Sequence, residues 1–184
     1  MDTDGLIKVT ATILLMVVII TLMTWEVGNI DQPLQEQLIL HEGLRLEPYK
    51  CTADKWTIGV GRNLEDRGIT QTELINFLKR EGITKDTAMR WLENDLRRIK
   101  HQLADYKWYR SLSDNRRNVL VDMCFNLGLR GLLSFQRMIQ AIKSQNFDIA
   151  AEEMLDSRWS EQVGKRAERL AEMMREDKSF KEVE

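Results

Sequence analysis

Cysteine, histidine and net charge are all scarce in this chain. Its two histidines, His41 and His101, stand alone on predicted helices with no second ligand at metal spacing. No metal site and no cofactor is therefore expected. A formal net charge of −2 with 30% charged residues gives no electrostatic reason to expect nucleic acid as a partner. The arginine pairs Arg97-Arg98 and Arg116-Arg117 read as solvated faces rather than as a binding patch. The two cysteines, Cys51 and Cys124, would invite a disulfide in an exported domain. Cys124, however, sits in Val-Leu-Val-Asp-Met-Cys-Phe-Asn-Leu. That run predicts a buried helix, where a free cysteine behaves as a small apolar residue. Internal repeats and low-complexity tracts are also missing. The 184 residues then allow one domain of ordinary size, or a smaller domain with an appendage.

Charge is missing altogether from Val9 to Trp25, and counting back to Leu6 gives 20 residues interrupted only by Lys8. A helix rising about 1.5 Å per residue lets this segment span a hydrocarbon core of about 30 Å. It is apolar all round, which argues against a core helix of a soluble domain. A cleaved signal peptide is the stronger rival. Against it, the run is long for an h-region and no Ala-x-Ala-like site follows it. Residues 6–25 are therefore expected to be an uncleaved signal anchor, and residues 1–30 an anchor plus linker. Thr10, Thr12, Thr21 and Thr24 make it a weak anchor, because each hydroxyl lowers the cost of leaving the bilayer. Lys8 precedes the span and Glu26 and Asp31 follow it, which predicts a cytoplasmic N-terminus and an exported C-terminal domain.

The remainder reads as mostly α with a little β. Asp31 or Gln32 can cap a helix that carries Pro33 in its first turn and Leu34, Leu38 and His41 at helical spacing, ended by Gly43. Trp56, Ile58 and Val60 alternate with Gly59 and Gly61 between them, which predicts a small hairpin or three-stranded sheet over residues 49–62. Thr70-x-x-Glu73 is a capping box before Leu74, Phe77 and Leu78, and Gly82 breaks that helix. Thr84 opens a longer helix through Leu103, and Ser113 caps an apolar one ended by Gly128. Further helices are expected at about 134–145, 147–155 and 165–175. The domain should run from 31 to 176, leaving 177–184 as a frayed tail. This order predicts two lobes with a cleft between them.

The chemistry concentrates in Glu42-Gly-Leu-Arg-Leu-Glu-Pro-Tyr-Lys-Cys51-Thr-Ala-Asp-Lys-Trp-Thr57-Ile-Gly-Val-Gly61. It places a carboxylate at a helix end across from a thiol and a hydroxyl on a β-prone segment. Glycoside hydrolysis needs such a pairing: an acid for the leaving oxygen and a second group for the sugar's other face. Alone, Glu42 would read as a solvated helix-end glutamate. Its flanks change that. Glu-Gly-Leu-Arg-Leu-x-x-Tyr-Lys followed by Thr-Ile-Gly-x-Gly resembles the site of the phage-type lysozymes, glycoside hydrolase family 24. Ser-Leu-Ser-Asp-Asn-Arg-Arg, Met-Cys-Phe-Asn-Leu-Gly, Ser-Arg-Trp159-x-x-Gln162 and Lys-Arg166-Ala-x-Arg continue the likeness, which covers roughly residues 34–175.

The resemblance implies an α+β, lysozyme-like fold with a small sheet lobe and a helical lobe. It implies Glu42 as general acid, Thr57 as a holder of the attacking water, and Arg166 as the arginine that pairs with the acid. Phe125 and Asn126 would line the cleft opposite, with Gln162 as a further supporting residue. Arg62 stands where many members have histidine. The departure that matters is Cys51, where the family pattern has aspartate. An unperturbed thiol titrates near 8.5 and is mostly uncharged at neutral pH, whereas an aspartate is a fixed anion. Cys51 could polarise water with Thr57, ionise with help from Lys50 and Lys55, attack the sugar, or be inert.

The expected protein is thus a signal-anchor-release endolysin. It would reach the host inner membrane through residues 6–25 and the secretion machinery, with the catalytic domain in the periplasm. Once released it would act there as a monomer on peptidoglycan. Two rivals share the sequence: a lytic transglycosylase with the same site, and a catalytically dead, membrane-anchored peptidoglycan-binding module.

Overall fold

A glycine in left-handed geometry fixes where the first described helix must stop. Gly43 has φ of +76°, and its amide donates to the Ile39 carbonyl at 2.9 Å, which closes helix α1 (Gln32–Glu42) just after Glu42. The computed structural model describes residues 32–51, 54–65 and 79–183. The expected anchor at 6–25, most of the linker, and the helix opened by Thr70 and Glu73 lie outside the described residues. No helix among the described residues is long and apolar enough to cross a membrane.

After α1 the chain forms an antiparallel sheet of β1 (Arg45–Lys50), β2 (Trp56–Gly59) and β3 (Arg62–Asn63), in that order. Tyr49 pairs with Thr57 and Ile58 with Arg62. The glycines that punctuate the sequence make the β2–β3 turn. Gly59 and Gly61 both take positive φ, +66° and +58°, which costs glycine little.

Helices follow: α2 (Lys85–Leu103), α3 (Lys107–Arg110), α4 (Asp114–Leu133), α5 (Gln136–Lys143), α6 (Phe147–Leu155), α7 (Arg158–Val163), α8 (Lys165–Glu176) and α9 (Phe180–Val183). Side-chain caps set the starts of α2, α4, α6 and α7, whereas α3, α5 and α8 start without one. Thr84 accepts from the Thr87 amide at 3.1 Å, Asn146 from Ile149 at 3.2 Å, and Ser157 from Ser160 at 3.1 Å. Each such cap stabilises its helix by about 1 kcal/mol. The apolar stripes of α4, α5, α6 and α8 close over one core that includes Leu120, Met123, Leu132, Met138, Met154 and Leu170. The sheet has a satellite core of its own, Ile58 and Leu64, flanked by Trp56, Ile83 and Trp91.

The fold is a mostly helical α+β architecture with a small three-stranded sheet, consistent with the lysozyme-like expectation. Four details depart from the sequence reading. Gly128 ends the first helical stretch of α4 in non-helical geometry (φ 72°, ψ 165°), as expected, but a second stretch that was not expected carries the helix on to Leu133. The short helices α3, α7 and α9 were not foreseen, since one or two turns carry too little periodicity to register. Residues 180–183 are ordered into a turn of helix rather than frayed. Phe180 is only 6% exposed and meets the His41 ring edge-on at 5.6 Å. Arg116 is no solvated face either. Its Nε donates to the Met174 carbonyl at 2.8 Å and its Nη2 to that of Arg175 at 3.1 Å, while Nη1 pairs with Asp177 at 3.3 Å. It thereby satisfies the open carbonyls at the end of α8, and its guanidinium also lies 3.5 Å from the Phe147 ring centroid.

Candidate active site

The last residue of α1, Glu42, is one-fifth exposed and accepts a hydrogen bond from Arg166 Nη1 on Oε1 at 2.7 Å. Its other oxygen, Oε2, faces Gly61. A Cβ built on Gly61 would come within 3.1 Å of it, and the φ of +58° there already strains any other residue, so glycine suits this close approach of the β2–β3 turn to the acid. Helix end and sheet are thus joined at one point, with a carboxylate between them.

The sheet carries the other two candidates. Cys51 follows β1 and Thr57 sits in β2. One carbonyl, that of Lys55, accepts from both the Cys51 amide at 3.0 Å and the Thr57 hydroxyl at 3.2 Å. Asp54, in left-handed geometry with φ of 58°, donates its amide to the Cys51 carbonyl at 2.9 Å and tightens the turn. Thr57 is 4% exposed. Between acid and thiol lies Tyr49, paired with Thr57 across the strands. Burial pushes its hydroxyl above the ordinary tyrosine range. The Arg45 cation opposes this, and Glu42 and Cys51 add to it, so Tyr49 feels both groups.

Arg166 draws on more than Glu42. Its Nε donates to Asp122 Oδ1 at 2.8 Å, and Nη2 lies 2.8 Å from the same oxygen. Asp122 is completely buried. Its second oxygen accepts from Gln37 Nε2 at 2.6 Å and from His41 Nδ1 at 2.9 Å. Burial by itself would push the Asp122 carboxyl up. The hydrogen bond from His41 and the charges of Arg166 and His41 outweigh it and hold the carboxyl below its usual range. Burial likewise opposes the Arg166 charge, but Asp122 and Glu42 overcome it and raise its titration point. The sequence reading missed Asp122, Gln37 and His41. One signal was present: Asp122 is the only charge in the apolar run from Val119 to Leu127.

Phe125 and Asn126 line a cavity of about 540 Å³ together with Gly61, Arg62, Asn63 and Asp95. Gly61 is the residue that also packs on Glu42, but Glu42, Cys51 and Thr57 are not among the residues that line this cavity. The Asn126 side-chain oxygen Oδ1 accepts from Trp159 Nε1 at 3.0 Å. Arg62 Nη1 reaches both Asp95 oxygens at 2.9 Å and leans toward Trp91, 5.1 Å from its centroid. It is an anchored wall rather than a free cation. Gln162 is exposed on α7, outside the Arg166 network. Cys51 and Cys124 are not joined in a disulfide, and burial pushes Cys124 up to about 11. Among the described residues, no group of three His, Cys, Asp or Glu side chains is placed to hold a metal.

Known proteins resemble this chain in sequence. The chain is 27% identical over 153 residues to a probable T4-type lysozyme 2 of Dictyostelium discoideum, covering 74% of this chain and 90% of that protein. A second such protein from the same organism, probable T4-type lysozyme 1, is 24% identical over the same shares. The pre-baseplate central spike protein Gp5 of Enterobacteria phage T4 is 26% identical over 157 residues, which span 77% of this chain but 27% of that longer protein. The profile of the family described as phage lysozyme matches residues 40–177, a stretch that runs from the turn before Glu42 past Arg166. The chain belongs to the phage lysozyme family.

Proposed function

We propose that this protein is a lysozyme-type glycosidase acting on peptidoglycan. It would cut the β-1,4 bond between N-acetylmuramic acid and N-acetylglucosamine as a phage endolysin, EC 3.2.1.17. The observation that carries the reading is the Arg166–Glu42 contact of 2.7 Å, made beside the β2–β3 turn at Gly61, which follows the strand that carries Thr57. Glu42 donates its proton to the leaving oxygen of the glycosidic bond. Thr57 holds the water that completes hydrolysis. Cys51 takes the place of a carboxylate, and thiolate character lets it support the positive charge that builds on the sugar. Glu42, Cys51 and Thr57 form the catalytic set, with Arg166 beside them and Phe125 and Asn126 on the cleft wall. The test is clearing of outer-membrane-permeabilised cells by the purified 27–184 fragment. Clearing with release of new reducing ends supports hydrolysis. Anhydro-muramic ends in their place would make the enzyme a lytic transglycosylase, and no clearing would leave a binding module.

The same reading places the protein in the host inner membrane first, through the apolar segment 6–25, and in the periplasm after release. It enters the membrane by the host secretion machinery with its N-terminus in the cytoplasm. Its four threonines weaken the anchor, so collapse of the membrane potential frees the enzyme. Replacing Thr10, Thr12, Thr21 and Thr24 by Leu should hold the protein in the membrane fraction after an uncoupler is added, and delay lysis. Equal release of the variant and the parent would make the segment an ordinary anchor or a cleaved signal.

A further inference from the structure

Arg166 has two edges to offer, and the structure commits one of them away from the acid. The Nε–Nη2 edge of the planar guanidinium faces Asp122, with Nε donating at 2.8 Å and Nη2 at 2.8 Å from the same carboxylate oxygen. Only Nη1 is left for Glu42, and it meets Oε1 alone. Arginine and carboxylate otherwise favour a forked pairing that occupies both oxygens. A glutamate gripped that way accepts from the cation on both oxygens, which opposes protonation of either. Here Oε2 stays out of the guanidinium's grip and faces Gly61.

We propose that Asp122 is a positioning residue that prevents Arg166 from forking onto Glu42, and that Gln37 and His41 hold Asp122 in place to do so. Asp122 is well suited to the role. It is fully buried, and an ionised carboxylate only accepts hydrogen bonds. One oxygen is therefore spent on Arg166 and the other on Gln37 and His41, at 2.6 and 2.9 Å. Those two donors lie on α1, the helix that ends in Glu42. The contacts close a ring: α1 presents Glu42 to Arg166, Arg166 leans on Asp122, and Asp122 is pinned to α1. The angle between acid and arginine is then set by one helix rather than by the freedom of two long side chains. The His41 ring is itself wedged, 2% exposed and edge-on to Phe180 at 5.6 Å, so α9 closes the back of the ring.

This inference rests on Glu42 being the acid of the proposed lysozyme, and the experiment separates the two claims. Kinetics on soluble, uncrosslinked peptidoglycan strands are measured for the full chain in detergent. Asp122→Asn should lower kcat by about 10²-fold, the scale of a misplaced reacting group, with KM unchanged. In an Arg166→Lys background the same change should cost nothing further, because an ammonium has no second edge to redirect. Should Asp122→Asn fail to fold, Gln37→Met and His41→Asn loosen Asp122 while keeping its charge, and each should lower kcat with KM unchanged. A second readout does not depend on activity. In ¹⁵N-labelled protein the Arg166 Nε–H should exchange slowly in the parent and in Glu42→Gln, and become fast in Asp122→Asn. Parental kcat in Asp122→Asn, an equal loss in the Arg166→Lys background, or a still-protected Nε–H in Asp122→Asn would each overturn the proposal. An inactive parent would sink the lysozyme reading, and the exchange measurement would still judge the positioning role.

Discussion

The helical body carries Glu42 and Arg166, the small sheet carries Thr57 and leads to Cys51, and the two regions are held together by different means. The body buries a continuous core drawn from helices α1 to α9, joined by Val60 from the β2–β3 turn, and the ionic cluster of Glu42, Arg166 and Asp122 is set into it. The sheet has two fully buried apolar side chains. It relies on ladder bonds, glycine turns and cations over aromatic faces: Lys50 and Lys79 lie 5.0 and 4.0 Å from the Trp56 centroid, and Arg45 lies 4.3 Å from that of Tyr49. Such contacts are weak at exposed sites. On the proposed mechanism the rigid half aims the acid, and the lightly held half carries the groups that meet water and substrate. A site divided in this way can lose activity from the sheet without losing its fold.

The sharpest break of that comparison is at its seam. Glu42→Gln keeps the shape of the α1 end and removes the proton donor, so clearing should fall by about 10²–10⁴-fold, the usual contribution of general acid catalysis. Near-normal clearing by this variant would remove Glu42 from the mechanism. On the sheet side, Cys51→Ser should lose most activity and Cys51→Asp should regain a substantial part. Full activity in the serine variant would reduce Cys51 to a spacer.

Stability should separate the two halves next. Leu120→Ala empties a fully buried position of the body and should cost about 2–5 kcal/mol of global stability, read in denaturant melts. Ile58→Ala removes an equally buried side chain from the two-residue core of the sheet. Its effect should appear first as faster amide exchange at Thr57 and Ile58 while helix amides stay protected. Loss of protection throughout the chain would mean that the sheet is not a separate unit.

Acid should find the buried carboxylate of the body. The folded Asp122 titrates below its unfolded value of about 3.9. Its contribution to stability is therefore complete above that value and is lost as pH falls through the still lower folded one. The parent's Tm should drop on acidification below about pH 4 more steeply than that of Asp122→Asn. Equal slopes would show that other carboxylates govern acid unfolding. The smallest effect is on the thiols. Iodoacetamide at pH 8 should label the half-buried Cys51 and spare Cys124, whose thiol is buried and pushed up to about 11.

Much of this fold was legible from local chemistry. Thr84 and Ser113 were expected as caps, and both accept an amide from three residues on. Residues 147–155 were expected as a helix and form one with those ends. Gly43, Gly59 and Gly61 marked turns because their backbone geometry favours glycine whatever surrounds it. The pairing of Glu42 with Arg166 was suggested by likeness to a family, since nothing in the spacing of residues 124 positions apart could announce it.

What only the tertiary structure decided is how charges and rings find partners across the chain. Arg116 looked like one of a solvated pair until α8 supplied two carbonyls for it. Phe180 looked like part of a fraying tail until His41 gave it a face to pack on. Asp122 stands 81 residues from His41 and 44 from Arg166, and its place in the site exists only once α1, α4 and α8 are packed together. The sequence by itself determined the helices, the turns and the kinds of side chain available, because caps, periodicity and backbone preference act over a few residues. The tertiary structure decided which oxygen of Asp122 faces which donor and which edge of Arg166 is left for Glu42. Hydrogen bonds are directional over about 3 Å, and only the closing of the core brings those groups within that range.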